Sequence, residues 1–339
     1  MEDKKTKVFN KNITSKDVAK LAGVSQSSVS RTFNNPDGRG VGEEIRKKVL
    51  EAANELGYKP NLIARGMISR KTNIVGLVVG DALGPFYNRI INLFVEKLQE
   101  KGKHCLVFQV ARTDNIEKII ETVIQFQVDG VIITASAMNR IMAETIIEND
   151  IPVILFNRFI PGIDISMVYA DPVAGASKVA DYLHEKGHEN IGYIQYRETS
   201  EEIEKKVGFY SQLRKYGIFN VQEEYSKYDY REGYEAAKRL LSKENRPTAI
   251  FCTSDLIALG AIDAAKNEFN LKIPEEIAIV GYDDIEMASW ESYSLTTVRQ
   301  PVEYMINKTV EIIDKKLKDI DEKNEIKMIE PELIKRKTV

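Results

Sequence analysis

Seven short runs of β-branched and other apolar residues recur after residue 71, and they constrain the fold more than any other feature. The runs are Ile74–Val79, Cys105–Val110, Val131–Thr134, Val153–Phe156, Ile191–Ile194, Ala249–Cys252 and Ile277–Val280. Between them lie stretches with apolar residues at helical spacing, such as Phe86, Ile90, Phe94 and Leu98. Apolar strands that alternate with helices are typical of a parallel sheet covered on both faces. Seven strand–helix units are more than one small open sheet usually contains. We therefore predict two doubly wound subdomains with a cleft at the carboxyl ends of their strands.

Before this region the pattern is different and predicts three short helices joined by tight turns. Thr14 and Asp17 form a Thr-x-x-Asp capping box at the start of the first helix, and Gly23 ends that helix. The second and third helices are expected over Gln26–Phe33 and about Glu43–Leu56. The apolar positions expected to face inward are Val18, Leu21, Ala22, Val29, Phe33, Ile45, Val49, Ala52, Ala53 and Leu56.

The distribution of charge changes at the same part of the chain as the spacing of the apolar residues. Residues 1–71 hold 15 of the 48 basic and 8 of the 51 acidic residues, a net charge of +7. The remainder of the chain therefore carries a net charge of −10. A basic N-terminal part on an acidic body is typical of a nucleic-acid-binding head joined to a domain with another task.

Several classes of protein are disfavoured by composition. No apolar run approaches the roughly 18 residues that a membrane span needs, and the N-terminus MEDKKTKVFNKN has no apolar signal region. Two cysteines and three histidines are too few for a disulfide framework or a Cys/His zinc site. We expect a cytoplasmic protein that uses no membrane, no metal and no other cofactor.

The second predicted helix has a polar face suited to the major groove of DNA. Gln26, Ser27 and Arg31 lie opposite the apolar positions, and Arg pairs bidentately with guanine as Gln does with adenine. We assign base readout to these three residues. The short hydrogen-bonding residues expected to contact phosphates beside helix N-termini are Thr14, Ser25, Ser28, Ser30 and Asn34.

These residues carry a specific resemblance. Thr14 to Arg31, TSKDVAKLAGVSQSSVSR, resembles the headpiece signature of the lactose-repressor/galactose-repressor family almost position by position. The sequence LGYKPN over 56–61, followed by Ala64 and Arg65, resembles the family's headpiece exit and hinge. The resemblance continues in the body at Asp129-Gly130, Gly187-His188, Pro247 to Ile250, Ser254-Asp255, Gly281 to Asp284 and Leu295 to Val298. It implies an all-α helix-turn-helix headpiece and an α/β body that resembles periplasmic binding proteins.

The family resemblance also implies how DNA is bound. A homodimer would place two headpieces on a pseudo-palindromic operator of double-stranded DNA, with Tyr58 and Asn61 as further phosphate contacts. The hinge segments would pair and enter the minor groove through Ala64, Arg65 and Met67. Because about eight residues are too few for a stable isolated helix, we expect the hinge to become helical only on operator DNA.

The chain departs from the family pattern at two places. Gly42 stands where the family usually has the Ser that caps the third helix, and glycine is the poorer cap by a few tenths of a kcal/mol. Gly66 follows Arg65 in the hinge and lowers its helix propensity by about 1 kcal/mol.

For the body, the resemblance implies a small-molecule effector, a sugar or a sugar phosphate, in the cleft between the subdomains. Asp283 would accept sugar hydroxyls, while Lys205 stands where many relatives carry an effector-binding Arg and cannot reproduce its bidentate grip. Capping and core packing remain open as other roles for such residues. The full set of expected effector contacts is Phe86, Tyr87, Asn157, Asp171, Lys205, Tyr228, Ser254 and Asp283.

We therefore predict a transcriptional regulator that acts as a repressor, rather than an enzyme, because no nucleophile–base set, phosphate loop or metal spacing is present in the sequence. A regulator of the same family controlled by a partner protein is the main alternative, and a cytoplasmic sugar-binding protein or enzyme is a weaker one. The predicted segments are an arm over 1–12, the headpiece over 13–58, the hinge over 59–72 and the body over 73–339. Within the body we expect one subdomain over about 73–171 and 301–322, and the other over about 172–300 and 323–339.

Overall fold

The computed structural model describes residues 13–34, 40–59, 71–80, 84–110, 116–134, 140–196, 200–318 and 322–339. The chain divides into two compact units, Met1–Thr72 and Asn73–Val339, called here the head and the body. The predicted arm, and the hinge residues from 60 to 70, lie outside the described residues.

The described part of the head contains the three predicted helices: α1 (Ser15–Ala22), α2 (Gln26–Asn34) and α3 (Glu43–Leu56). The capping box is present at α1, where the backbone N–H and the hydroxyl of Thr14 donate to Asp17 Oδ2 at 2.8 and 2.7 Å. Gly23 follows α1 with a φ of 65°, a conformation that glycine adopts without steric penalty. The local sequence therefore fixes both ends of α1.

A small apolar core holds the three helices together. Its buried residues are Val18, Ala19, Val29, Val49, Ala52 and Ala53. The prediction that Leu21 and Ile45 face inward is wrong, since both side chains are exposed. Because α1 packs against both α2 and α3, its buried stripe is centred on Val18 and Ala19, which leaves Leu21 on the flank.

The body contains two six-stranded sheets. The first has the strand order β11-β5-β4-β3-β1-β2, and all of its neighbouring strands are parallel. Its strands are β1 (Ile74–Gly80), β2 (His104–Val110), β3 (Gly130–Thr134), β4 (Val153–Phe156), β5 (Ser166–Ala170) and β11 (Ile326–Ile329). The helices that belong with this sheet are α4 (Pro85–Glu100), α5 (Ile116–Gln125), α6 (Arg140–Glu148) and α11 (Val302–Lys316).

The second sheet has the order β12-β10-β9-β8-β6-β7, and only its edge strand β12 is antiparallel to its neighbour. Its strands are β6 (Ile191–Gln195), β7 (Val221–Tyr225), β8 (Ala249–Cys252), β9 (Ala278–Asp283), β10 (Thr296–Arg299) and β12 (Glu332–Ile334). Its helices are α7 (Pro172–Glu185), α8 (Ser200–Lys215), α9 (Tyr230–Leu241) and α10 (Asp255–Asn267), with a short 3-10 turn over Glu286–Ser289. The expected architecture of two doubly wound subdomains is confirmed.

One predicted boundary is wrong. Residues 323–339 were assigned as a whole to the second subdomain, but β11 lies in the first sheet beside β5. The backbone bonds are direct: Met167 N–H donates to the Glu325 carbonyl at 2.8 Å, and Asp171 N–H donates to the Ile329 carbonyl at 2.9 Å. The chain therefore passes between the sheets after β5, after β10 and again after β11.

Candidate nucleic-acid interface and effector cleft

The exposed face of α2 carries the three residues assigned to base readout. Gln26, Ser27 and Arg31 are exposed, whereas Val29 on the opposite face is fully buried. A sharp turn precedes the helix. The Ser25 hydroxyl oxygen accepts the backbone N–H of Ser28 at 3.2 Å and so caps the start of the helix. This arrangement presents a guanidinium, an amide and a hydroxyl together on one short helix.

Hydroxyl groups cluster at the start of α2. The Ser25 oxygen lies 2.7 Å from the Ser27 oxygen and 2.9 Å from the Ser28 oxygen, and the Gln26 amide donates to the Ser15 hydroxyl at 2.9 Å. A helix N-terminus with several small donors suits a phosphate, because unpaired backbone N–H groups point outward there. The Gln26 amide would exchange its bond to Ser15 for one to a base.

The remaining residues predicted to contact DNA differ in their surroundings, and some lie outside the described residues. Tyr58 is half-buried and packs edge-on against Phe33, with 5.6 Å between ring centroids. Its ring is therefore part of the head's packing. Ser30 is half-buried and Asn34 is the last residue of α2. The hinge residues Asn61, Ala64, Arg65 and Met67 lie outside the described residues.

In the body, four of the predicted effector residues come together around Tyr228. Tyr228, which follows β7, is half-buried and lies close enough to Tyr87, Ser254 and Asp283 for these groups to shift its pKa. Burial raises that pKa well above its ordinary value, and Asp283 adds to the effect. Tyr228 also touches the first subdomain, because its Cε1 atom lies only 2.3 Å from where a Cβ atom on Gly84 would be. Any side chain at position 84 would displace this ring.

Asp283 ends β9 with a φ of 116° and a 7% exposed side chain. Its Oδ1 atom accepts from Gln300 Nε2 at 2.8 Å, and the following 3-10 turn begins after Ile285 with no side-chain cap, so Asp283 is not a helix cap. Burial raises the pKa of Asp283 well above its ordinary value, and Asp255 and Glu201 raise it further while Lys205 opposes them. A carboxyl in this position suits hydroxyl groups of a ligand.

Lys205 lies on α8 inside a cluster of charges. Its ammonium is 3.0 Å from Glu201 Oε1, 2.8 Å from Glu202 Oε1 and 3.3 Å from the Thr253 carbonyl oxygen. It also lies 4.2 Å from the centre of the Tyr282 ring. Burial lowers the pKa of Lys205, but the two carboxylates outweigh burial and hold the pKa well above its ordinary value.

Four of the predicted contacts also have structural partners. Asp171 caps α7 by accepting the Ala174 N–H at 3.0 Å, and Ser254 caps α10 by accepting the Leu256 N–H at 3.2 Å. Asn157 has a φ of 57° and its backbone N–H donates to the Val168 carbonyl at 2.7 Å. Phe86 belongs to the largest apolar core and meets the Tyr87 ring edge-on, with 5.5 Å between centroids. Phe86 therefore has the alternative role of core packing.

Comparison with known proteins places this arrangement in a family. Residues 14–61 match the profile described as "Bacterial regulatory proteins, lacI family", and residues 180–339 match a "Periplasmic binding protein-like domain". The chain is 33% identical over 296 residues to the HTH-type transcriptional repressor CytR of Escherichia coli K12, covering 85% of each protein. It is 30% identical over 339 residues to the ribose operon repressor of Haemophilus influenzae, covering 96% of this chain and 98% of that one. The chain belongs to the LacI family of bacterial regulatory proteins.

Solved structures agree with this LacI-family assignment at the level of the fold. The structure of the Lac repressor dimer bound to operator and the anti-inducer ONPF superposes with a TM-score of 0.87 at 24% identity, covering 97% of this chain and 99% of that one. The complex of the transcriptional regulator CelR with cellobiose gives a TM-score of 0.72 at 26% identity, covering 96% and 100%. The expectation of a regulator rather than an enzyme is confirmed by the family. No helix among the described residues is long and apolar enough to cross a membrane.

Sequence reasoning missed several buried acids of this LacI-family body. Glu201 and Glu202 were not identified, although the spacing to Lys205 places all three on one side of α8. Asp255 is fully buried and accepts the Thr297 hydroxyl at 2.5 Å and the Ile285 N–H at 2.8 Å. Burial raises the pKa of Asp255 to about 7. The Glu-Glu-x-x-Lys spacing was the available signal for the first two, whereas nothing local identifies the partners of Asp255.

Proposed function

We propose that this protein is a transcriptional repressor that binds a pseudo-palindromic operator as a homodimer and changes its DNA affinity when a small-molecule effector, a sugar or sugar phosphate, binds in the body cleft. The observation that carries the proposal is the face of α2, where Gln26, Ser27 and Arg31 are exposed above a buried Val29. Such a face fits the major groove, and the net charge of +7 over residues 1–71 favours the phosphate backbone.

The cleft supports the second half of the proposal. Tyr228 and Asp283 come from the second subdomain, and Tyr87 comes from the first, so a ligand held by all three would bridge the subdomains. Such a ligand favours the subdomain arrangement in which its contacts are complete. If that arrangement also changes the spacing of the two heads, effector and operator alter each other's affinity equally.

The experiment begins with selection of operator DNA from random oligonucleotides at low ionic strength. Arg31→Ala is then compared with wild type on the selected operator and on a scrambled duplex. We expect the operator to lose about 1–3 kcal/mol for each base pair that Arg31 reads, while salt-dependent binding to the scrambled duplex persists.

Lys47→Ala provides the matched control, since Lys47 is an exposed cation on α3 rather than α2. That variant should weaken operator and scrambled DNA alike. Unchanged operator selectivity in Arg31→Ala would remove Arg31 from base readout, and failure of the wild type to select any sequence would overturn the proposal.

The effector half has its own test. Asp283→Asn should bind operator as wild type does but lose the response to any sugar that dissociates or strengthens the wild-type complex, because the carboxylate acceptor is replaced by an amide. The response is measured as the shift of the operator-binding curve with added sugar. An unaltered shift would exclude Asp283 from the effector site.

A further inference from the structure

The connection between β10 and α11 is a tight turn fixed by a proline. Pro301 has a φ of −77° and a ψ of 59°, the conformation of the central residue of an inverse γ-turn. The Val302 N–H closes this turn by donating to the Gln300 carbonyl at 2.8 Å, and the proline ring restricts its own φ angle. Because β10 belongs to the second sheet and α11 packs against α4, β4 and β5, the two subdomains are joined here by a short, rigid connection.

The side chain of Gln300 depends on one residue for its position. Gln300 is 3% exposed, and its Nε2 atom donates to Asp283 Oδ1 at 2.8 Å. Its Oε1 atom is buried and has no hydrogen-bond partner in the part of the chain that the structure describes. Its backbone is also constrained, since its carbonyl closes the turn at Pro301. Gln300 therefore connects the carboxyl group of Asp283 to the first turn of α11.

The backbone at the end of β9 needs support from its surroundings. Asp283 and Asp284 have φ angles of 116° and 54°, in a region that residues other than glycine rarely adopt. Residues in such conformations persist only where neighbouring groups fix them. The last two residues before Pro301 supply part of this support, because Gln300 holds Asp283 and Arg299 Nε donates to Asp284 Oδ2 at 2.6 Å. The end of β10 thus holds both residues at the end of β9.

We infer that Gln300 is a positioning residue that holds the Asp283 carboxyl group in place and transmits a change at that group to the start of α11 in the first subdomain. This inference rests on the proposed function, since it takes Asp283 to be an effector contact. A ligand that binds Asp283 changes the acceptor on which the Gln300 amide depends, and the turn at Pro301 passes that change to α11. Hydrogen bonds and rigid elements in contact with one another are the means by which coupling is carried between separate sites.

Hydrogen exchange of backbone amides in the full-length protein tests this connection without a ligand. The reporter amides are those of Val302 and Met305, which donate to the carbonyls of Gln300 and Pro301 at 2.8 and 3.0 Å. Gln300→Met keeps a similar volume but loses the hydrogen bond, so we expect both reporter amides to exchange about two- to tenfold faster, as the loss of one buried hydrogen bond implies. Asp283→Ala should have the same effect, because it removes the acceptor.

Two further variants show whether the effect belongs to this hydrogen bond. Asp283→Asn keeps an acceptor oxygen for the Gln300 amide, so its reporter amides should exchange as those of wild type do. Gln212→Met is the matched control, because Gln212 Nε2 on α8 donates to Asp181 Oδ1 on α7 at 2.5 Å, a bond of the same kind away from the turn. Its loss should leave the reporter amides unchanged.

A general loss of stability is followed at the Ala278 amide, which donates to the Thr248 carbonyl at 2.9 Å where β9 adjoins β8. The inference is overturned if Gln300→Met leaves the reporter amides unchanged, or if the Ala278 amide accelerates as much as they do. Full additivity of Gln300→Met and Asp283→Ala in the double variant would also overturn it.

Operator selection and the effector response of Asp283→Asn test the proposed function separately. Faster exchange of the reporter amides without any effector response would keep the connection through Gln300 and remove only the effector role of Asp283. An effector response with unchanged exchange in Gln300→Met would keep the proposed function and exclude Gln300 as the connecting residue.

Discussion

Two Glu–Lys pairs with the same spacing on a helix differ almost completely in environment. In the head, Glu44 and Lys48 on α3 are 2.9 Å apart with side chains 83% and 54% exposed. In the body, Glu201 and Lys205 on α8 are 3.0 Å apart with side chains 19% and 2% exposed. The same i, i+4 pattern is therefore a solvated surface pair in one unit and part of a buried charge cluster in the other. Spacing alone does not distinguish the two, because the surrounding elements decide the burial.

The difference extends to the candidate functional residues. Those of α2 lie on an exposed surface and are available to a large partner. Most of those of the body are buried, and several already hold a helix end or another charge, as Ser254 and Lys205 do. The candidate contacts of the head are therefore open, whereas those of the body would have to rearrange to admit a ligand.

The largest expected effect comes from breaking the buried pair. Lys205→Met leaves two carboxyl groups without their cation and should lower the free energy of unfolding of the body by about 3–5 kcal/mol. Urea unfolding followed by tryptophan fluorescence measures this, because the single tryptophan, Trp290, lies in the body. Lys48→Met in the head is the matched control and should leave body stability close to wild type. Equal effects from the two substitutions would contradict the comparison.

A smaller effect per pH unit is expected from the buried acid of the body. Because the pKa of Asp255 is about 7 in the folded state and 3.8 without burial, the folded state binds the proton more tightly. Its stabilisation is complete below pH 4 and is lost as the pH rises towards and through 7, by at most about 1.4 kcal/mol per pH unit. Asp255→Asn cannot ionise, so the wild-type stability should fall relative to that of the variant over this range. If the difference in urea midpoint between wild type and Asp255→Asn did not change with pH, Asp255 would not titrate in this pH range.

The smallest effect concerns the head alone. Gly42→Ser supplies the missing cap of α3 at a position with open space for a side chain, and should stabilise the helix start by a few tenths of a kcal/mol. Hydrogen exchange at the Arg46 amide, which donates to the Gly42 carbonyl at 3.0 Å, measures it. Gly57→Ser also has open space, but its φ of 64° makes the same change destabilising by about 1 kcal/mol. If Gly42→Ser and Gly57→Ser changed stability in the same direction, backbone conformation would be excluded as the cause of their difference.

Local sequence predicted the head better than the body. Thr14, Asp17 and Gly23 determine the ends of α1 through neighbours a few residues away, and those predictions are confirmed. The exposure of Leu21 was not predictable in the same way, because it depends on the angle at which α3 packs. In the body, the predicted apolar strands are present, but β5 was missed since its five residues include Ser and Tyr and resemble a loop with apolar residues.

The meeting of the candidate effector residues was predictable only as a location. The carboxyl ends of the strands brought Tyr228, Ser254 and Asp283 together with Tyr87, as the parallel topology requires. The environment of Lys205 was not predictable, because two of its neighbours, Thr253 and Tyr282, are about 50 and 80 residues away in sequence. Long-range partners of this kind decide whether a charged side chain serves a ligand or the fold.

The last two strands of the chain have a consequence for truncation. β11 completes the outer edge of the first sheet and β12 that of the second, with only two residues between them. A premature stop at residue 326 would therefore remove an edge strand from both sheets at once. Neither half corresponds to one continuous stretch of polypeptide, so an N-terminal fragment that ends before β11 would leave both without part of their structure.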